Sequence, residues 1–303
     1  MTSRISYHCF ICGNENPAGL QARFAEQPDG SSVAHFVGRE HHQGYPGRMH
    51  GGIIAALLDE AAERAMAAQM ATWPARELRV RYRQPVPLGV ELAAMGRVTA
   101  RDDGSCTAIA ELRLADGSLA VEAQVRSWMT PTDPVERPDP DRPPTARPVT
   151  RKQPNSRMCF VCGTSNCAGL KVRFYEHEDG GVSARFTAGA LHADHAGHLS
   201  LAAIAAALDE AMGRAIMIPY GETIWGVTGE LHFRILRPAP IGVELIGTGR
   251  IISEKSRIFE GSGELLLPDG TVAVEGHGRY VKLDMVTLGG FDPVREEWGV
   301  RPD

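Results

Sequence analysis

The chain has 303 residues, of which 43% are hydrophobic and 23% are charged, and its formal net charge is −5. This composition is typical of a folded globular protein, and the length allows two ordinary domains. The acidic balance offers no basic face, so we exclude a nucleic-acid partner. The first residues, "MTSRISYHCFICG", lack the apolar stretch of a secretory signal, and no apolar run could span a bilayer. We therefore expect a cytoplasmic protein with free thiols and no membrane partner.

The first half begins with a predicted β-hairpin, since "GLQARF" and "SSVAHFVG" flank the turn-forming "PDG". One helix is predicted from about His50 to Ala68, and it is too apolar on most faces to lie exposed. Alternating runs then predict a meander of antiparallel strands, namely "ELRVRYRQ", "VELAAMGRVTA", "CTAIAELRLA" and "LAVEAQVRSWM". One buried helix wrapped by an antiparallel sheet is an α+β arrangement.

A proline-rich segment at residues 131–156 follows this first half, which we assign to residues 1–130. The segment contains eight prolines and few large apolar residues, so we predict an extended linker with polyproline character. A second domain is predicted at residues 157–283, and residues 284–303 form a polar tail.

The second domain repeats the first. "CFICGNENPAGLQARF" from Cys9 returns as "CFVCGTSNCAGLKVRF" from Cys159, 150 positions later, and the apolar helix returns at about Ser200 to Ile216. Further on the offset becomes 153, since "QPVPLGVEL" from Gln84 matches "RPAPIGVEL" from Arg237. A repeat of this length predicts two domains with one architecture, packed as a pseudo-dimer within one chain.

Three segments together resemble the hot-dog fold acyl-CoA thioesterases of the PaaI-like group: "GYPGRMHGGIIAALLDEA", "CFICGNENPAGL" and "RYRQPVPLGVEL". A histidine and two glycines, followed by an acid nine positions after the histidine, are that family's signature, and here they are His50, Gly51, Gly52 and Asp59. The resemblance covers both halves. It implies two tandem hot-dog domains, each an antiparallel sheet around one central helix, and hydrolysis of acyl-CoA without a metal or other cofactor.

The spacing of the signature raises a geometric problem. Hydrolysis of a thioester needs hydrogen-bond donors about 3 Å from the developing oxyanion and a carboxylate that activates water or attacks directly. Gly51 and Asp59 are eight residues apart on one helix, which corresponds to about 12 Å of rise and about 80° of rotation. One thioester carbon cannot contact both residues. The acid must therefore come from a second, antiparallel helix, which in this chain belongs to the other half.

Differences between the halves predict which combination works. In the second half Ser200, Leu201 and Ala202 replace the histidine and glycines, and a helix start without glycine is a poor place for a close-approaching carbonyl. By the resemblance, Thr228 is the hydroxyl that holds the attacking water, and the first half has Ala75 there. We therefore predict one site per chain, built across the halves from His50, Gly51, Gly52, Asp209 and Thr228.

The resemblance also implies that Gln43 orients the thioester carbonyl. The opposite combination, Ser200 with Asp59, is predicted to be degenerate or repurposed. In the nucleophile role Asp209 would attack directly, and in the general-base role it would activate water; the sequence leaves both open.

Several of these residues also have simpler interpretations. Glu60 and Glu210 each precede an arginine by four residues, which favours ordinary pairing on a helix surface over catalysis. His50 could cap its helix, and the aspartates could face solvent at the seam between the halves. Each CxxC motif offers only two metal ligands where a structural zinc site needs four, so we interpret both motifs as packed turns.

Hot-dog proteins also include hydratases, dehydratases and non-catalytic binding proteins. The D-x4-H and HFPG-type patterns of hot-dog hydratases and dehydratases are absent from the sequence. A non-catalytic protein that binds acyl-CoA or another apolar ligand stays an alternative, because one glycine pair has been lost. The acyl group is open, and so is further homo-oligomer assembly, which related proteins often achieve through their sheets.

Overall fold

A computed structural model of the protein describes residues 7–67, 75–128, 148–285 and 298–299. In the first half, one long helix is followed by four strands and preceded by a hairpin. These elements are β1 (Arg23–Glu26), β2 (Ser32–Val37), α1 (Gly51–Ala67), β3 (Ala75–Tyr82), β4 (Glu91–Arg101), β5 (Ser105–Arg113) and β6 (Leu119–Trp128).

The second half repeats this order, with extra short elements before the hairpin, after the helix and near the C-terminus. Its elements are β7 (Val149–Lys152), β8 (Asn155–Ser156), β9 (Arg173–His177), β10 (Val182–Thr187), α2 (Leu201–Arg214), α3 (Met217–Tyr220), β11 (Ile224–Ile235), β12 (Glu244–Glu254), β13 (Ile258–Leu266), β14 (Val272–Asp284) and β15 (Trp298–Gly299). Both halves therefore have the predicted α+β architecture of a sheet around one helix.

The two halves share one antiparallel sheet of thirteen strands, in the order β1-β2-β4-β5-β6-β3-β11-β14-β13-β12-β10-β9-β7. The halves meet where β3 pairs with β11, and Arg79 lies opposite His232 at that junction. The predicted meander was wrong in one respect, because β3 pairs with β6 and not with β4. The chain returns from the helix to the seam between the halves, which is where the sheet becomes continuous.

The two long helices pack against each other inside this sheet, and most of their residues are buried. The start of α1 lies beside the middle of α2, and Gly52 packs directly against Ala206. A Cβ at Gly52 would lie 2.2 Å from the backbone nitrogen of Ala206. This position therefore requires glycine so that the two helices can touch.

The predicted linker is shorter than expected at its C-terminal end. Val149–Lys152 forms β7 at the edge of the sheet, and Asn155 donates hydrogen bonds to the carbonyls of Cys162 and Val172. Residues 131–147, to which we assign polyproline character, lie outside the described residues. Within the described part of the chain, no helix combines the length and the apolar character that crossing a membrane requires.

Candidate active site

A cavity of about 370 Å³ lies at the seam between the halves, beside the start of α1. The first half contributes the loop before α1, the first residue of that helix and the end of β3. The second half contributes α2, the start of β11 and the end of β14. The residues that concern the chemistry are His50, Gly51, Tyr82, Asp209, Thr228 and Tyr280.

Asp209 is the buried acid of this cavity and is only 5% exposed. The hydroxyl of Thr228 donates to its carboxylate, with Oγ1 3.0 Å from Oδ1 and 3.2 Å from Oδ2. Burial raises the pKa of Asp209 to about 6, although the nearby His50 and the hydrogen bond from Thr228 both oppose the rise. A carboxylate with this pKa can accept a proton near neutral pH, as a general base must.

Gly51 lies opposite this acid. It is the first residue of α1, so its N–H has no intrahelical acceptor. We find no other acceptor for this N–H in the part of the chain that the structure describes. A Cβ at this position would lie 3.4 Å from Oδ2 of Asp209 and 3.4 Å from the hydroxyl of Tyr82. The structure thus brings together a helix start from one half and an acid from the other.

Two of the predicted site residues do not line the cavity. The N–H of Gly52 donates to Nδ1 of His50 at 3.1 Å, and its α-carbon packs against α2. The side-chain oxygen of Gln43 accepts from the N–H of Gly47 at 3.3 Å. Their positions do not support an oxyanion role for the Gly52 amide or a carbonyl-binding role for Gln43.

The interpretation of Glu210 as a helix-surface residue was wrong. Its pairing with the arginine four residues later exists, with Arg214 Nε 2.8 Å from Oε2, but the Glu210 side chain is only 13% exposed. Its other oxygen, Oε1, lies 2.8 Å from the Cys159 thiol and 3.4 Å from Nε2 of His50. Burial opposes ionisation of Glu210, but the charge of Arg214 and the contact with His50 outweigh it and lower its pKa to about 2.

The equivalent position around Asp59 of α1, at the start of α2, is filled by charged side chains. Nη2 of Arg76 lies 3.1 Å from Oδ2 of Asp59, and the same guanidinium contacts Glu63. Burial raises the pKa of Asp59, and the charge of Arg76 opposes that rise. Among the described residues, Oδ1 of Asp59 has no hydrogen-bond partner. Ser200 caps α2 there, with Oγ 3.4 Å from the Ala203 nitrogen.

Sequence reasoning missed the residues that distinguish the two positions. At the offset of 153, Arg76 corresponds to Gly229, and at the offset of 150, Glu63 corresponds to Gly213. Gly213 and Gly229 line the cavity. A residue-by-residue comparison of the repeats beyond the signature would have revealed both differences. Tyr82 and Tyr280 donate hydrogen bonds to the carbonyls of Gly51 and Asp209 and were not predicted as site residues, although Tyr82 lies in the family-like segment "RYRQPVPLGVEL".

Two groups of side chains in the described residues have donor atoms close enough to share a metal ion. One group is Cys9, Cys12 and Glu60, and the other is His50, Cys159 and Glu210. In each group the glutamate already pairs with an arginine, at 2.8 Å in both cases. Each CxxC motif forms a turn, in which the N–H of the following glycine donates to the carbonyl of the first cysteine.

Comparisons with known proteins agree with this architecture. Residues 46–121 match the family model described as Thioesterase superfamily. A search of curated proteins finds no match. One similar solved structure is a conserved protein of unknown function with a hot-dog fold from Alicyclobacillus acidocaldarius. The two are 17% identical with a TM-score of 0.62, over 87% of this chain and 97% of that chain.

Another similar structure is an acyl-CoA thioesterase II from Mycobacterium marinum, which is 10% identical with a TM-score of 0.62, over 88% of this chain and 96% of that chain. A tesB protein from Mycobacterium avium subspecies paratuberculosis is 12% identical with a TM-score of 0.61, over 89% and 99%. At these identities the likeness establishes the fold. The chain is therefore a tandem hot-dog protein, and residues 46–121 are similar to the thioesterase superfamily model.

Proposed function

We propose that the protein hydrolyses acyl-CoA thioesters at one site per chain, formed by the start of α1 and by Asp209 of α2. The observation that carries this proposal is the approach of Gly51 to Asp209, where a Cβ would lie 3.4 Å from the carboxylate oxygen. An amide without an acceptor and a buried carboxylate with a raised pKa thus share one cavity. These are the two groups that hydrolysis of a thioester requires.

In the proposed reaction the thioester carbonyl lies against the Gly51 amide, which donates to the oxyanion as it develops. Asp209 removes a proton from a water molecule, and the water oxygen bonds to the carbonyl carbon. Collapse of the tetrahedral intermediate breaks the carbon–sulfur bond, and the proton held by Asp209 passes to the departing thiolate. The products are the carboxylic acid and free coenzyme A. Thr228, which already donates to the Asp209 carboxylate, orients this group towards the water.

The lining of the cavity supports a substrate with one charged and one apolar end. Arg48 and Arg83 are exposed at its rim, where the phosphates of coenzyme A would meet positive charge. Met217 and Trp225 are buried and form part of its apolar wall, on which an acyl group would pack. The amphiphilic lining favours an acyl-CoA over a small polar ester.

The proposal is tested by release of free thiol from short, long and aromatic acyl-CoAs. We expect wild-type turnover with at least one substrate, a loss of at least a thousandfold in Asp209→Asn, and activity near wild type in the matched variant Asp59→Asn. Equal losses in both variants would contradict a single site. If the wild-type protein binds acyl-CoA in calorimetry but releases no thiol from any substrate, it is a ligand-binding protein and the hydrolase proposal is wrong.

A further inference from the structure

A buried chain of polar contacts connects the CxxC motif of the second half to the helix start of the first. The thiol of Cys159 donates to Oε1 of Glu210, and the same oxygen lies 3.4 Å from Nε2 of His50. The other nitrogen of that ring, Nδ1, accepts from the N–H of Gly52. The chain therefore crosses the seam between the halves and ends at the residue that follows Gly51.

These contacts fix the proton of the imidazole. Because Nδ1 accepts a hydrogen bond from a backbone amide, the proton of the neutral ring is on Nε2, from which it is directed to Glu210. The side chains of His50 and Glu210 are 5% and 13% exposed, so solvent competes little with these contacts. A ring held at both nitrogens also holds the backbone of residues 50–52, where the proposed oxyanion donor lies.

Glu210 is not available for chemistry of its own. One of its oxygens is shared by the Cys159 thiol and His50, and the other accepts from Arg214 at 2.8 Å. We propose that Glu210, held by Cys159 and Arg214, is a positioning residue that orients His50 and thereby aligns the Gly51 amide with the reacting carbonyl. This inference rests on the hydrolase function proposed above, and it assigns to the second half a residue that supports the donor in the first.

The chain contains its own control for this inference. Glu60 occupies the equivalent position in α1 and has equivalent partners, with Arg64 at 2.8 Å and the Cys9 thiol at 3.9 Å. In place of an imidazole, however, the opposite helix starts with Ser200, which bonds to its own helix. Glu60 therefore shares the structural contacts of Glu210 but has no histidine to orient.

The test compares Glu210→Gln with Glu60→Gln in steady-state hydrolysis. Loss of a whole oxyanion donor costs about 10²–10³ in kcat, so misalignment of one should cost about tenfold to a hundredfold. We expect that loss in kcat for Glu210→Gln with KM within about twofold of wild type, and little change for Glu60→Gln. In a His50→Ala background, adding Glu210→Gln should change kcat by less than about twofold, because the group on which it acts is gone. Equal effects of the two glutamate variants, or full multiplication with His50→Ala, would overturn the inference.

Two further measurements distinguish a positioning role of Glu210 from a folding defect, and test it independently of the hydrolase proposal. If Glu210→Gln fails to fold, Cys159→Ala and its match Cys9→Ala replace it, and only the former should reduce kcat. Imidazole ¹⁵N NMR of His50 requires no turnover. It should show the Nε2–H tautomer in the wild type, and the Nε2 signal should shift in Glu210→Gln, where the neighbouring carboxylate is lost, but not in Glu60→Gln. A His50 signal that is identical in the wild type and in Glu210→Gln overturns the inference even where hydrolysis is confirmed, and the expected change supports the orientation even where no thiol is released.

Discussion

Arg76 and Gly229 occupy equivalent positions in β3 and β11, and only the arginine has a side chain that reaches the aspartate beside it. Its guanidinium lies 3.1 Å from Oδ2 of Asp59 and also contacts Glu63, which replaces Gly213 in the same way. Two glycines on one side of the seam leave room for a substrate, while an ion-pair cluster fills the corresponding volume on the other. The two halves therefore differ both in the strand and in the helix that flank the aspartate.

We expect Arg76→Ala to destabilise the fold without reducing hydrolysis. Removal of one member of a buried ion pair costs about 3–5 kcal/mol, and about 2–3 kcal/mol is expected here because the Arg76 side chain is 23% exposed. Arg79→Ala on the same strand is the control, since Arg79 pairs with Glu77 at the surface and should cost less than about 1 kcal/mol. Urea unfolding of both variants measures the difference, and a larger loss for Arg79→Ala would contradict the buried cluster.

The two signature glycines should fail in different ways when they are replaced by alanine. A Cβ at Gly51 meets Asp209 and Tyr82 at 3.4 Å, so Gly51→Ala should fold but lose about tenfold to a hundredfold in kcat as the methyl excludes the carbonyl. A Cβ at Gly52 would lie 2.2 Å from the Ala206 backbone, so Gly52→Ala should lower the melting temperature by forcing the helices apart. Thermal melts and hydrolysis assays on both variants test this. An unchanged melting temperature for Gly52→Ala would contradict the close packing of the two helices at this position.

Hydrolysis should decrease at acidic pH, because Asp209 becomes protonated there. Burial raises the pKa of this group to about 6, and the base must be ionised to accept a proton. We therefore expect kcat/KM to fall about tenfold per pH unit below pH 6. Thr228→Val removes a hydrogen bond that favours the carboxylate, which should move the acidic limb to higher pH. A limb that stays in place or moves to lower pH in this variant would exclude Asp209 as the titrating group.

Asp209 should also destabilise the protein at neutral pH. Its pKa is about 6 in the folded state against about 3.9 in an unfolded chain, so the folded state binds the proton more tightly. The protonated Asp209 contributes about 3 kcal/mol to the free energy of unfolding below about pH 4, and this contribution is lost as the pH rises to 6. Asp209→Asn should therefore raise the free energy of unfolding at pH 7 and change it little at pH 4. Equal changes at the two pH values would indicate a packing effect instead.

Helix geometry allowed the sequence to predict the approach of Gly51 to Asp209, because rise and rotation exclude two distant residues of one helix from a shared site. The function of Gly52 was not predictable in this way. A glycine that admits a substrate and a glycine that admits another helix look the same in a sequence. Glu210 presents a similar limit, since pairing at i and i+4 has the same pattern on a surface and in a core. The position of β3 in the sheet depends on contacts between the halves. The alternation of apolar and polar residues along a strand does not encode such contacts.

The continuous sheet and the divided site have an evolutionary consequence. In an assembly of two identical subunits, every substitution appears at both sites, so an arginine at the position of Arg76 would close both of them. Fusion of the two copies removes this coupling, because Arg76 and Gly229 can then change separately. Under the proposed function, only one copy of each position faces the substrate, and the other copy can contribute to packing alone. On the proposed single-site function, fusion lets Arg76 form an ion pair with Asp59 in one half while Gly229 keeps the other half open.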